Sequence, residues 1–239
     1  MSLRPKPGKL CKNEGMGLRS KALMSWSSGK DSAYALHLAR QDPSLEVVGL
    51  LTTINAEVER VAMHGVRVEL LRRQARALGL PLSIIELPDP CTNAEYEQRM
   101  GSFVQHARSE GIERVIFGDL FLEDIRAYRE AQLVDTGLEP VFPLWGSEPR
   151  ALAEDMLGAG IVAHLTCLDP KVLGREFAGR QWDAALLAEL PAGIDPCGEN
   201  GEFHTFVSDG PGFSEPVEVR PGKVVERGGF VFADLLPRE

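Results

Sequence analysis

Apolar and polar positions follow two alternating periods through the first two-thirds of the chain. Short apolar runs, Ala22–Trp26, Val47–Ile54, Leu82–Leu87, Arg114–Gly118 and Pro140–Trp145, read as strands. Between them lie Ser32–Arg40, Gly65–Leu78, Asn93–Glu110 and Asp124–Asp135, which read as helices. Thr92-Asn93-Ala94-Glu95 is a capping box opening the third helix, Gly111 stops that helix, and Gly79 stops the second. Short strands alternating with helices imply βαβ crossovers and a parallel sheet covered on both faces. Right-handed crossovers then give a doubly wound α/β fold.

After Trp145 a helix is expected at Glu148–Leu157, a strand at Ile161–Leu168 and a helix-rich stretch over Lys171–Leu190. From Pro191 the chain turns rich in Gly, Pro and Asp. Its short runs Phe203–Ser208, Pro216–Val219 and Lys223–Arg227 resemble an antiparallel finish. A boundary at 140–146 therefore separates a nucleotide-type domain, 21–143, from a smaller α+β domain, 144–239, expected to bind the acceptor. The basic start, residues 1–20, lacks the apolar stretch of a secretory signal and reads as a flexible arm.

Charge and cysteine usage narrow the function classes. The net charge is −9 and the only basic cluster is the arm, so nucleic acid is a poor default partner. No apolar run approaches the roughly 20 residues that span a bilayer, which excludes a membrane role. Cys11, Cys91, Cys167 and Cys197 are widely separated, a pattern of reduced thiols in a cytoplasmic protein rather than of a disulfide or zinc framework.

The candidate chemistry begins at MSWSSGKDSAYAL, residues 24–36, where the first strand breaks into polar residues before the first helix. A turn leaving the carboxyl end of a strand and opening a helix is where doubly wound folds bind ligands, and its free N–H groups suit a phosphate. Gly29 permits close backbone approach, Ser27, Ser28 and Ser32 bring hydroxyls, and Lys30 brings positive charge. Asp31 fits once Mg²⁺ accompanies the nucleotide. A Walker A loop is excluded, because Lys30 is followed by aspartate and no glycine lies five residues before Gly29. The alternative is a capped turn with no ligand.

Ser27-Ser28-Gly29-Lys30-Asp31-Ser32 resembles the PP-loop, S-G-G-K-D-S, of the ATP pyrophosphatases, with Ser28 at the usual first glycine. That departure asks whether the backbone there needs positive φ. Three more stretches narrow the branch: Met63-His64-Gly65 opening the second helix, Gly118-Asp119-Leu120 ending the fourth strand, and Gly198-Glu199-Asn200-Gly201-Glu202-Phe203-His204-Thr205. Together they resemble the diphthine–ammonia ligase family over about Lys21 to Phe213. The resemblance implies a HUP/Rossmann-like PP-loop domain and an AMP-forming, ATP-dependent carboxylate–ammonia ligase with catalytic Lys30, Asp31, Glu199 and Glu202. It implies ATP held by residues 27–32, His64, Gly118 and Asp119, with Mg²⁺ on Asp31 and Asp119. Acceptor contacts fall to Arg126, Asn200, Gly201 and His204.

Each of these residues also has a local reading. Asp119 either reaches metal and phosphates or caps a turn. Arg126 and Arg129 share a helix face and either bind polyphosphate or pair with Glu123 and Glu130, pairing being preferred for Arg129. His64 lines the pocket or is structural. Glu199 and Glu202 are expected to crowd one another, which suits a site that shares a cation, an amine or a proton. The competing functions are a tRNA-thiolation enzyme using Cys167 and Cys197, and a non-catalytic ATP-binding module. The acceptor is either a protein, the diphthine of elongation factor 2, or a small carboxylate such as a cobalamin precursor, and a homodimer is left open.

Overall fold

The computed structural model describes residues 19–61, 63–88 and 90–238, so the expected arm lies outside the described residues except at its last positions. The first half is built as expected from βα units: β1 (Ser20–Ser25), α1 (Lys30–Gln41), β2 (Leu45–Asn55), β3 (Arg60–Val61), α2 (Val68–Leu78), β4 (Leu82–Leu87), α3 (Asn93–Ser109), β5 (Ile112–Ile116), α4 (Glu123–Leu133) and β6 (Glu139–Val141). Strands β4, β2, β1, β5 and β6 lie side by side and parallel, with β3 antiparallel on the end of β2. That order places β1 at the centre, with crossovers leaving it in both directions. The carboxyl ends of β1 and β5 therefore flank a crevice, the position where doubly wound sheets bind ligands.

Alternation along β1 explains its burial on both faces. Ala22 and Met24 join the main core with Leu36 of α1 and Leu70 and Leu71 of α2, whereas Leu23 joins a smaller core with Ala107 of α3 and Val115 of β5. Thr92 and Glu95 close the expected capping box on α3. Gly79 ends α2 in the left-handed conformation.

The second half holds α5 (Pro149–Gly158), β7 (Val162–Leu168), β8 (Gln181–Trp182), α6 (Ala184–Glu189), β9 (Phe203–Asp209), β10 (Val219–Arg227) and β11 (Phe230–Pro237). Its sheet is antiparallel, with β7 bonded to β9 along one edge and to β11 and β8 along the other. The mixed α/β fold and the antiparallel finish are thus as expected. One continuous core joins both sheets, running from Leu36 and Leu71 to Leu165 and Phe206.

Four element expectations need correction. Pro140–Trp145 is a strand only to Val141, because the chain turns at 142–146, with Trp145 N–H donating to the Phe142 carbonyl. Lys171–Leu190 is not helix-rich: it holds a single 3₁₀ turn, Arg175–Phe177, then β8 and the short α6, whose cap is Asp183. The runs at 216–219 and 223–227 do not form separate strands, since β10 is continuous from Val219 and hairpins onto β11 through Gly228-Gly229. Met63-His64-Gly65 does not open α2, which starts at Val68, and lies in a turn held by Gly65 N–H on the Val61 carbonyl.

Candidate active site

The Trp26–Gly29 loop leaves β1 and enters α1 under tension that the surrounding chain contains. Ser28 has φ 70°, so the position does require the left-handed region, and a serine occupies it. An L-residue there costs about 1–2 kcal/mol. The Ser28 carbonyl accepts from Gln74 Nε2 at 3.0 Å and from Val207 N–H at 2.9 Å, which fixes the conformation. Its hydroxyl is buried with no hydrogen-bond partner among the described residues. Gln74 is itself fully buried, accepts the Trp26 indole N–H at 3.0 Å and donates to the Val207 carbonyl at 2.6 Å.

The loop docks on the free edge of β9. Gly29 caps α1 without a side chain, and the Lys30 amide donates instead to Thr205 Oγ1 at 3.1 Å. A Cβ on Gly29 would lie 2.9 Å from His64 and 3.2 Å from the Thr205 carbonyl, so only glycine fits between them. Gly118 is equally tight, a Cβ there falling 3.0 Å from the Asp31 backbone. Ser32 Oγ donates to the Gly29 carbonyl at 2.9 Å and lies 3.2 Å from Ser27 Oγ. The first-turn amides of Asp31 and Ser32 stand outside the helical ladder, as at any helix start.

These groups open into a cleft of about 630 Å³, lined by Ser27, Lys30, Asp31 and Ser32 from the loop, Gly118 and Asp119 beyond β5, and His64. The second domain contributes Gly198, Glu199, Phe203, His204 and Thr205. Lys30 is 1% exposed. Its ammonium donates to both Asp31 oxygens at 2.9 Å and to the Cys197 carbonyl, and sits 5.5 Å from the Trp182 and Phe203 ring centres. Burial alone would lower its proton affinity, but Asp31, Cys197 and Asp195 together outweigh that and hold the pKa above the ordinary lysine value.

Four carboxylates line the cleft, Asp31, Glu97, Asp119 and Glu199. Asp119 is raised by burial, against the opposing Arg129. Its Oδ2 is buried without a hydrogen-bond partner, the Arg129 Nε standing off at 3.6 Å. Glu199 accepts the Leu120 amide at 2.7 Å. Burial pushes Glu199 up to about 7; the Leu120 amide opposes this, while Asp31 and Asp119 add to it. The His64 and His204 rings lie 4.7 Å apart, and His64 Nδ1–H donates to the Thr205 carbonyl. Burial holds both imidazoles neutral, at about 4 and about 3.

The geometry corrects the expected crowding of Glu199 with Glu202. Glu202 turns away: its Oε1 accepts the Asp195 amide at 3.2 Å and Asn200 Nδ2 at 3.1 Å. The carboxylates that face Glu199 are Asp31 and Asp119. Asn200, Gly201 and Glu202 do not line the cleft, and neither does Arg126. Arg126 pairs with Glu130 at 2.7 Å and lies over Phe142 and Trp145, while Arg129 pairs with Asp119 rather than with a glutamate.

Sequence reasoning missed Thr205, Gln74 and Asp195. Asp195 accepts the amides of Cys197 and Glu199, both at 2.9 Å, and so shapes the turn that aims Glu199. Its signal was Asp-Pro-Cys-Gly, an Asx-type turn sequence. Gln74 was visible as a polar residue on the apolar stripe of α2.

Among the described residues no group of three His, Cys, Asp or Glu side chains is set to hold a metal. Mg²⁺ beside a nucleotide needs only one or two carboxylates, the phosphates and water supplying the rest. Asp31 and the unpartnered Oδ2 of Asp119 fit that requirement.

Comparison with known proteins matches residues 20–140 to the diphthamide synthase N-terminal domain and residues 148–231 to the diphthamide synthase C-terminal domain. The chain is 26% identical over 235 residues to the diphthine–ammonia ligase of Homo sapiens, covering 87% of this chain and 86% of that one. It is 27% identical over 177 residues to that of Danio rerio, covering 67% and 69%. With that of Schizosaccharomyces pombe it shares 34% identity over 95 residues, which is 38% of this chain and 16% of the longer protein. The PP-loop half and the Glu199-bearing half are thus matched in chain order, and the protein belongs to the diphthamide synthase family.

Proposed function

We propose that the protein is an ATP-dependent ligase that adenylates a carboxylate and replaces AMP with ammonia. The observation carrying this reading is the placement of Glu199, a carboxyl group titrating near 7, in the same cleft as the helix-start loop. The curated relatives are named diphthine–ammonia ligases, which supports the class.

In this reading the amides of Asp31 and Ser32 and the hydroxyls of Ser27 and Ser32 receive the phosphates at the start of α1. Lys30 keeps its charge and stabilises pyrophosphate as it departs. Asp31 and Asp119 would hold Mg²⁺, which would neutralise charge on the phosphates. An acceptor carboxylate oxygen bonds to the α-phosphorus as the bond to the pyrophosphate oxygen breaks. The nitrogen of ammonia then bonds to the carbonyl carbon, AMP leaves with the electron pair of the C–O bond, and Glu199 takes a proton. His64, with Nδ1–H bound to Thr205, presents Nε2 as an acceptor. Glu202 and Asn200 act one step back, bracing the turn that carries Glu199.

Diphthine is the acceptor named by the relatives; for this chain the proposed class is a carboxylate, on a protein or on a small molecule. The thiolation alternative gains no support, since Cys167 and Cys197 are buried and both thiols are pushed up to about 12, chiefly by burial. The test is product analysis with ATP, ammonium and candidate acceptors, including diphthine-bearing elongation factor 2 and cobalamin-precursor acids. Acceptor-dependent AMP and pyrophosphate are expected, and ADP with phosphate overturns the reading. Lys30→Ala should weaken ATP binding at least about tenfold, the loss of one charge-assisted hydrogen bond.

A further inference from the structure

Helices α3 and α4 turn apolar side chains toward the cleft. Tyr96, Met100, Phe103 and Val104 form a stripe along α3, and Ile125 and Leu133 face it from α4; all six stay partly exposed although Phe103, Val104 and Leu133 touch the smaller core, and α4 has no fully buried residue. These side chains, with Val115 and Phe117 of the β5 end as floor, line the same cleft that begins at the helix-start loop. An apolar stripe on a helix over a sheet is ordinarily packed to the density of a crystal. Here it walls a chamber.

Arg129 stands where the chamber meets the loop. Its guanidinium lies 5.1 Å above the Phe117 ring, and its buried Nε has no hydrogen-bond partner, the Asp119 carboxylate being 3.6 Å away. The cleft's other charged cation, Lys30, is engaged by Asp31 and the Cys197 carbonyl, and the two histidines are neutral. Among the described residues lining the cleft, Arg129 is therefore the cation with donors to offer.

We infer that Arg129 and the α3–α4 chamber form an acceptor arm, the guanidinium holding the reacting carboxylate and the chamber taking the apolar body that bears it. The inference rests on the ligase reading and names its substrate class. A planar fork matches a carboxylate with paired hydrogen bonds. The polar groups on the chamber wall are those of Glu97, Gln132, Tyr96, Tyr128 and Thr136. The hydroxyl of Thr136, at its inner end, is spent on the Leu133 carbonyl and the Leu138 amide. The ends of β1 and β2, with Ser25, Thr52 and Thr53 on the cleft wall, leave a separate polar side for the nucleoside.

The test uses 4-phenylbutyrate and its neutral counterpart 4-phenylbutyramide as probes, titrated into the full-length protein by calorimetry. The carboxylate is expected to bind the unaltered protein at least about tenfold more tightly than the amide. Arg129→Gln should bring the two probes to equal affinity while ATP affinity stays within about twofold. Val104→Trp, which fills the chamber, should abolish both probes and leave ATP bound. Equal affinity of the two probes in the unaltered protein, which requires no variant to fold, overturns the inference. So does an Arg129→Gln protein that loses ATP but keeps 4-phenylbutyrate, which would give the arm to the nucleotide. Failure of the ligase reading shows separately, as ADP formation or as unchanged ATP affinity in Lys30→Ala.

Discussion

Thr205 Oγ1 accepts the backbone amide of Lys30 at 3.1 Å, capping α1 from a position 175 residues further along the chain. A helix start is normally capped by the residue before it, and here that residue is a glycine pressed against His64. Thr205→Val keeps the shape and removes the acceptor. The expected cost is about 1 kcal/mol of stability, the value of a lost cap, read as a lower denaturant midpoint. ATP affinity should fall in the same variant, because the amides beside the cap lose their aim.

Ser28 holds a left-handed backbone with a buried, unpartnered hydroxyl. Ser28→Gly removes both penalties and adds the unfolded-state entropy of glycine, which offsets part of the gain. A net stabilisation of roughly 1 kcal/mol is expected from chemical denaturation. Ser28→Val should instead destabilise the protein, since a β-branched residue resists that conformation.

Gln74 connects Trp26, Ser28 and Val207 from inside the core. Gln74→Leu matches its volume but strands the Trp26 indole N–H and the Val207 carbonyl. Each buried group left unmet costs about 1–3 kcal/mol, so a loss of roughly 2–6 kcal/mol is expected in thermal or denaturant unfolding.

The pH responses of the cleft oppose one another. Glu199 must lose its proton to accept another, so acceptor-saturated turnover should rise with pH through about 7. Glu199→Gln should abolish that limb of the pH–rate profile. Stability behaves differently. Glu199 is raised on folding, so its contribution is present below its unfolded value near 4.5 and is lost as pH rises through about 7. His64 and His204 are depressed, so theirs is present above 6.5 and is lost as pH falls toward about 4 and about 3. In Glu199→Gln the histidine limb should stand alone, giving a steeper loss of stability between pH 6.5 and 4 in denaturant titrations.

Much of the first domain was legible because its signals are local. β1 alternates Ala22, Leu23 and Met24 between two cores, α3 carries its own capping box, and Gly79 marks the end of α2. The SSGKDS loop announced itself by polarity at a strand–helix junction. What stayed hidden depended on contacts distant in sequence. The sequence places Glu199 and Glu202 three apart and implies repulsion, but Asp195 and Asn200 turn them in different directions. Lys171–Leu190 has helical composition, yet Gly174 and Gly179 interrupt it and β7 recruits Gln181 and Trp182 as a strand. Arg129 reads as a partner for neighbouring glutamates, and only the sheet edge brings Asp119 to it.

Asp234, on the last strand, accepts Arg60 Nη1 at 3.0 Å and Arg67 Nη2 at 2.5 Å, the arginines on either side of the turn that carries His64. During translation β1, the loop and α1 leave the ribosome long before this aspartate is made. The PP-loop domain alone has neither the Thr205 cap nor the clasp that steadies His64. A nascent chain therefore lacks the ion pairs on Asp234 until the final hairpin is made. If the proposed nucleotide site is right, chains stalled before Asp234 should retain ATP less well than the finished protein.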